Sequence, residues 1–168
     1  MFEKFGEFDS AEEMNRKAAE MLTAGETKGI LQLAEENGIE KEDAEDFIDG
    51  FASEFASPLM AAMGKLKVES ADLELKGIVN DWKDQILDLC TEDQEICVAV
   101  RKKGKQLKDC MARLIAFSFE NKVQISDKIV KATKVKHNGK TEPFRGPLYL
   151  GIPSRTQVKQ IVKDYYLG

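Results

Sequence analysis

Histidine occurs once and cysteine three times among the 168 residues, and these two scarcities remove most catalytic and metal chemistry at the outset. A Ser or Cys nucleophile needs a positioned imidazole or a substitute base. The single imidazole, His137, stands beside Asn138-Gly139, a hairpin-type turn, and reads as a turn-flanking residue, not as a base or ligand. Cys90, Cys97 and Cys110 form no CxxC pair, and with one His they lack the usual spacing of a zinc set. Each falls in an apolar helical pattern, where a free Cys behaves as a small buried hydrophobe. There is no GxxxxGK[ST] loop and no GxGxxG after a strand, so the familiar phosphate-cradling loops are absent. No apolar run approaches the roughly 18 residues of a membrane span. The start, Met1-Phe2-Glu3-Lys4, lacks the basic and apolar regions of a secretion signal, and a cytoplasmic protein without membrane contact is expected. Carboxylate pairs remain a formal source of acid–base chemistry among 30 acids, but no pair stands out as buried. The expectation is a protein that binds and does not catalyse, with no catalytic residue, metal or cofactor.

What is present is charge, and it is divided. The net charge of −5 conceals 25 Asp/Glu against 9 Lys/Arg in residues 1–100, and 5 Asp/Glu against 16 Lys/Arg in residues 101–168. Opposite-signed halves either attract each other within one fold or face different partners. With 42% hydrophobic residues the chain can bury a sizeable core.

Helical periodicity dominates. Ser10 with Glu13 forms a capping box ahead of Met14, Ala18, Met21 and Leu22, and Gly25 ends that helix. A second helix runs from Thr27 to Asn37 with Ile30, Leu31 and Ala34 inward. A third starts near Lys41 and carries Ala44, Phe47, Ile48, Phe51 and Phe55. Pro58 bends or restarts it, and the apolar face continues through Leu59, Met60 and Met63 to Gly64. Residues 66–75 read as a loop or short extended piece. Ile78, Val79, Trp82, Ile86, Leu89 and Cys90 mark a strong helix with Trp82 as a core anchor. Thr91 with Gln94 then reads as a cap for a helix bearing Ile96 and Val100. Leu107, Cys110, Met111, Leu114 and Ile115 form the clearest stripe, flanked by Phe117 and Phe119. Ser126-Asp127 opens a short helix, and Ser154 with Gln157 caps the last one, with Val158, Ile161, Val162 and Tyr165 inward. Between them, residues 136–153 hold three Gly and three Pro and cannot be one helix. Leu148-Tyr149-Leu150 reads as a strand, with Val135-Lys136-His137 as its partner. The fold class expected is mainly α: a compact domain of seven or eight helices with at most one small β-hairpin near residues 134–151. Residues 1–64 are assigned to an acidic helical subdomain and 65–168 to a helical core domain with a basic C-terminal third.

Two charged stretches are candidate sites. Residues 40–49 carry six carboxylates on barely three turns. The plain reading is a solvated helix face with acids favoured at its N-terminus; the sharper one is a surface imitating phosphate spacing for a basic protein. Glu42, Asp43, Glu45 and Asp46 are its candidate protein-partner residues. Arg101, Lys102, Lys103, Lys105 and Lys108 crowd a helix start, where the dipole disfavours cations, so the lysines and free amides together suggest an anion site. The alternative is a solvated junction or an internal counter-charge for the acidic half. Lys128, Lys131 and Arg145 extend the basic set toward a nucleic-acid surface, along with Lys134, Lys136 and Lys140; Lys159 and Lys163 lie on the last helix. A helix-turn-helix over residues 107–135 is disfavoured, because the turn near 121–125 is too long and lacks a small central residue.

The run Lys102-Lys103-Gly104-Lys105-Gln106-Leu107-Lys108-Asp109-Cys110, followed by a helix and by a terminal helix ending in Tyr165-Tyr166, resembles the PcfK-like family. The resemblance covers roughly residues 100–168 and touches Lys105, Leu107, Cys110, Tyr165 and Tyr166. It implies a small protein carried by conjugative plasmids and integrative elements, and some relatives are anti-CRISPR inhibitors of the type II RNA-guided nuclease. The acidic segment 1–64 and the loop GPLYLGIP are not features of that pattern. The function expected is a non-catalytic accessory protein of a mobile element whose partner is nucleic acid or a nucleic-acid-binding or -processing protein. The other reading is a protein–protein adaptor whose basic surface only balances its own acids.

Overall fold

A computed structural model describes residues 2–168. Local sequence starts and stops most of the helices. Ser10 accepts the amide of Glu13 and opens α1 (Ala11–Thr23), while the Glu13 carboxylate reaches back to the amide of Asp9. After α2 (Thr27–Glu36) the turn at Asn37-Gly38 leads to α3 (Lys41–Ile48). The third helix ends there, earlier than expected. Phe51 is left in solvent at 83% exposure, and Phe55 is buried from an irregular segment, edge-on to Phe47 at 5.9 Å.

Pro58 restarts the chain at the first position of α4 (Pro58–Asp72), with Ser57 as its cap. This helix does not stop at Gly64 but continues through most of the stretch expected to be a loop. The reason is on its buried face: Lys65 and Glu69 are inside with Ala61, Ala62 and Leu66, and two charges interrupt the apolar pattern that marks a helix. α5 (Ile78–Glu92) and α6 (Gln94–Arg101) follow, divided by Asp93. Asp93, and not Thr91, is the cap, accepting the amides of Glu95 and Ile96.

The rest comprises α7 (Leu107–Glu120), β1 (Val123–Gln124), α8 (Asp127–Ala132), β2 (Lys134–His137), β3 (Lys140–Pro143), β4 (Tyr149–Leu150) and α9 (Arg155–Leu167). The protein is thus a mainly helical domain, with nine helices among the described residues and two small antiparallel sheets instead of one hairpin. β2 pairs with β3 around Asn138-Gly139, both at positive φ, as the hairpin-type turn requires. The 148–150 strand does not join 135–137; β4 pairs with β1, Val123 opposite Leu150. The cause is Gly151, whose missing side chain lets the backbone rest directly against the Ser118 carbonyl on α7.

Two hydrophobic clusters make the core. The first gathers Met14, Ile30, Leu33, Phe47 and Phe55 from the first three helices and the segment before α4. The second gathers Trp82, Ile86, Ile96, Leu107, Leu114 and Val162 from α5, α6, α7 and α9. α4 serves both, giving Ala61 to one and Ala62 and Leu66 to the other. The Asn37-Gly38 turn is pressed onto α4 so tightly that a Cβ at either Gly38 or Gly64 would overlap the other segment's backbone.

Candidate nucleic-acid interface

The basic lead-in is placed differently from its sequence reading. Arg101 lies in the last turn of α6 and Lys102 caps its C-terminus, where the dipole favours cations; only Lys108 belongs to the first turn of α7. Arg101 is buried, at 1% exposure, with Nη2 donating to Asn37 Oδ1 at 2.8 Å and the guanidinium over the rings of Phe2 and Phe8. Burial pulls its pKa down to about 10, against the pull of Glu7 and Glu69. It faces inward and meets no outside anion.

The amides of this junction are already taken. The Leu107 amide donates to Glu69 Oε2 at 2.7 Å, and the Gln106 amide to the Tyr165 hydroxyl at 2.7 Å. The Lys103 amide donates to Asp9, and the Gly104 amide to Glu7. Fully buried Lys65 completes the set, 2.6 Å from Glu7 and donating to the Lys102 carbonyl at 2.8 Å. The anion that the helix start calls for is therefore the chain's own Glu69. Lys105 is half-buried and donates to the Tyr165 carbonyl, while Lys102, Lys103 and Lys108 remain exposed.

In the acidic run, Glu42 and Asp46 are exposed, whereas Asp43 and Glu45 are half-buried. Glu45 pairs with Lys41 at 2.7 Å and Glu40 with Lys67 at 2.5 Å, so part of the run is neutralised on the spot. Asp43 stands at the rim of a cavity of about 390 Å³ between the α2–α3 turn, α4 and α5, floored by Ile39, Met60, Met63 and Leu87. Glu40 also lines it, whereas Glu42, Glu45 and Asp46 do not.

Cations on the last helix are also spoken for. Lys159 meets Glu92 at 2.6 Å, Lys163 meets Asp93 at 2.8 Å and Arg155 meets Asp88 at 3.2 Å, clamping α9 onto α5 and the start of α6. Hydrogen bonds from Lys159 and Lys163 hold the Glu92 and Asp93 carboxyls below the usual range.

A different group is open. Lys128 and Lys131 on α8, Lys134 and Lys136 on β2, Lys140 on β3 and Arg145 beyond it are all exposed, and none makes an ion pair among the described residues. With Lys122, they give residues 122–145 seven cations against Asp127 and Glu142 alone. All eight positions of β2 and β3 are exposed, so this arm is held by little core. Within this stretch or beside it in the chain are exposed apolar side chains for which no binding role was expected: Phe119, Val123, Ile129, Tyr149 and Ile152. The signal in the sequence is the short Leu148-Tyr149-Leu150 run in a glycine- and proline-rich stretch, of which the structure keeps only Tyr149 and Leu150 as strand, both exposed.

The cysteines sit in the second cluster, and burial pushes the thiols of Cys90 and Cys110 up to about 12, far from a reactive thiolate. Among the described residues no three His, Cys, Asp or Glu side chains are grouped to hold a metal ion, and no helix is long and apolar enough to cross a membrane. The residues that carry the family resemblance meet in one place. Leu107, Cys110, Tyr165 and Tyr166 are buried together where α7 packs on α9, and Lys105 is tied to Tyr165, so that pattern describes a packing contact. No protein-family model matches the chain, and neither a curated protein nor a solved structure matches it.

Proposed function

We propose that the protein is a non-catalytic accessory factor of a mobile genetic element that binds nucleic acid through residues 122–145. The observation that supports this is the unpaired state of Lys128, Lys131, Lys134, Lys136, Lys140 and Arg145 within one short stretch, when the cations of α9 are paired with acids and Arg101 and Lys105 of the lead-in are bonded within the fold. Unmatched cations on an exposed arm attract a polyanion and gain from release of its counterions. The PcfK-like resemblance supplies the mobile-element setting, and through it inhibition of an RNA-guided nuclease is the activity to assay. In that setting the arm contacts guide RNA or DNA, and Glu42 and Asp46 face the cationic channel of the enzyme.

Binding of labelled DNA and RNA across a salt series tests the reading. Changing Lys128, Lys131, Lys134 and Lys136 to Ser should weaken binding and flatten the dependence of log K on log salt by roughly 0.7–0.9 for each phosphate no longer neutralised. No binding of the unaltered protein at about 50 mM salt sinks it.

The adaptor reading rests on a separate observation, the cavity beside Asp43 with its methionine floor, a surface type suited to an apolar side chain of a protein partner. Capture of a protein partner that persists after nuclease treatment, and is lost on charge reversal at Glu42, Asp43, Glu45 and Asp46, would favour it.

A further inference from the structure

The exposed rings beside the arm in the chain say which form of nucleic acid fits it. Phe119 ends α7 with 67% of its surface in solvent, and Tyr149 on β4 is 50% exposed. Two contacts bring them to one locality. Gly151 rests on the Ser118 carbonyl, which seats β4 against the last turn of α7. β1 then joins the two, with Gln124 opposite Tyr149 and the Ile125 amide donating to the Leu148 carbonyl at 2.8 Å. Lys122 lies 4.7 Å from the centre of the Phe119 ring, and Lys128 and Lys131 follow on the short helix that begins just after β1.

Exposed aromatics set among unpaired cations match a strand whose bases are free to stack. In a duplex the base faces are already stacked on one another and only edges and phosphates are offered. A single strand offers a π-face at each nucleotide, and stacking on Phe or Tyr withdraws the ring from water without reading sequence. Anionic membranes also attract clustered cations but offer no ring faces for stacking, and the vesicle arm of the test below separates the two. We infer that the arm takes single-stranded nucleic acid in preference to duplex, with Phe119 and Tyr149 stacking on bases while Lys122, Lys128 and Lys131 neutralise phosphates. This rests on the nucleic-acid reading above and narrows it.

The test is fluorescence anisotropy of the full chain at about 100 mM salt with a labelled single strand, the same sequence as duplex, and anionic phospholipid vesicles. Single strand is expected to bind about tenfold or more tighter than duplex. Phe119→Ala and Tyr149→Ala should each weaken single-strand binding about fivefold or more and leave duplex binding unchanged. Phe119→Trp should preserve it. Both side chains are largely solvated, so circular dichroism melts of the variants should superimpose on the parent. Equal affinity for the two forms, or alanine variants that bind single strand normally, overturns the inference and leaves electrostatic binding standing. Vesicle binding without strand binding overturns both, as does no binding to either nucleic-acid form.

Discussion

Glu69 is a carboxylate that the fold has taken out of water and then made indispensable. Its Oε2 accepts the first amide of α7, and its Oε1 finds only the distant Lys65 at 3.9 Å. Burial raises its pKa, and the Leu107 amide and Lys65 offset only part of that rise. The folded state therefore holds this proton more tightly than the unfolded chain does. The stability it contributes is full below the ordinary carboxyl value of 4.5 and is lost as pH rises through the raised folded value. Glu69→Gln keeps an acceptor for Leu107 but carries no charge, so its urea midpoint should fall less than the parent's between about pH 4 and pH 8. Parallel pH profiles would contradict this account. Glu69→Ala leaves the Leu107 amide unsatisfied and should cost about 1–3 kcal/mol in denaturant unfolding. None of this is legible in the sequence, where Glu69 falls in a stretch that reads as a loop and Arg101 reads as part of an open anion site. The mutual burial of Lys65, Glu69, Arg101 and Asn37 exists only once α2, α4 and α6 have met.

Elements differ in how much of themselves they announce. Helices with one apolar stripe and a capping residue, such as α1 and α9, are readable because cap and period lie within a dozen residues. α4 is not, because a helix packed on several sides buries its charges along with its alanines and loses the one-sided pattern. The β2–β3 hairpin is readable at its Asn-Gly turn, since only a tight turn needs two successive positive φ values. The β1–β4 pair is not, because its register depends on where Gly151 docks. The hairpin buries none of its strand positions, so replacing residues 135–142 with a short Gly-Ser linker should leave the thermal midpoint within about one degree. The same change removes Lys136 and Lys140, and the salt dependence of nucleic-acid binding should become shallower. A large drop in midpoint would show that the hairpin carries packing not visible in its exposure.

Over the whole molecule, α4 is the piece that both hydrophobic clusters share, and the Lys65–Glu7 and Arg101–Asn37 contacts fasten the first cluster to the junction between α6 and α7. Unfolding one cluster strips partners from buried charges in the other, which is costly. Heat or urea should therefore unfold the chain in a single transition, with tryptophan fluorescence of Trp82 and far-ultraviolet circular dichroism coinciding. Trp82 reports the second cluster alone, so a separate earlier loss of helix signal would show that the clusters melt independently.

The sequence by itself determined the division of charge, the helical class, most helix starts and the core stripes of α5 and α7 apart from Ile78 and Ile115, which the fold leaves exposed, because each depends on residues near one another in the chain. Which charges face solvent was decided only by tertiary structure. Five cations gathered near residue 101 promise an anion site, yet Glu7, Asp9 and Glu69 reach their junction from distant elements and fill it. Lys102, Lys103 and Lys108 stay in solvent around that filled junction, and the densest run of exposed cations is on the arm, which has few acids of its own. Sequence counts charges; only the packed fold pairs them, because Coulomb attraction and desolvation act over ångströms in space and not over positions in the chain.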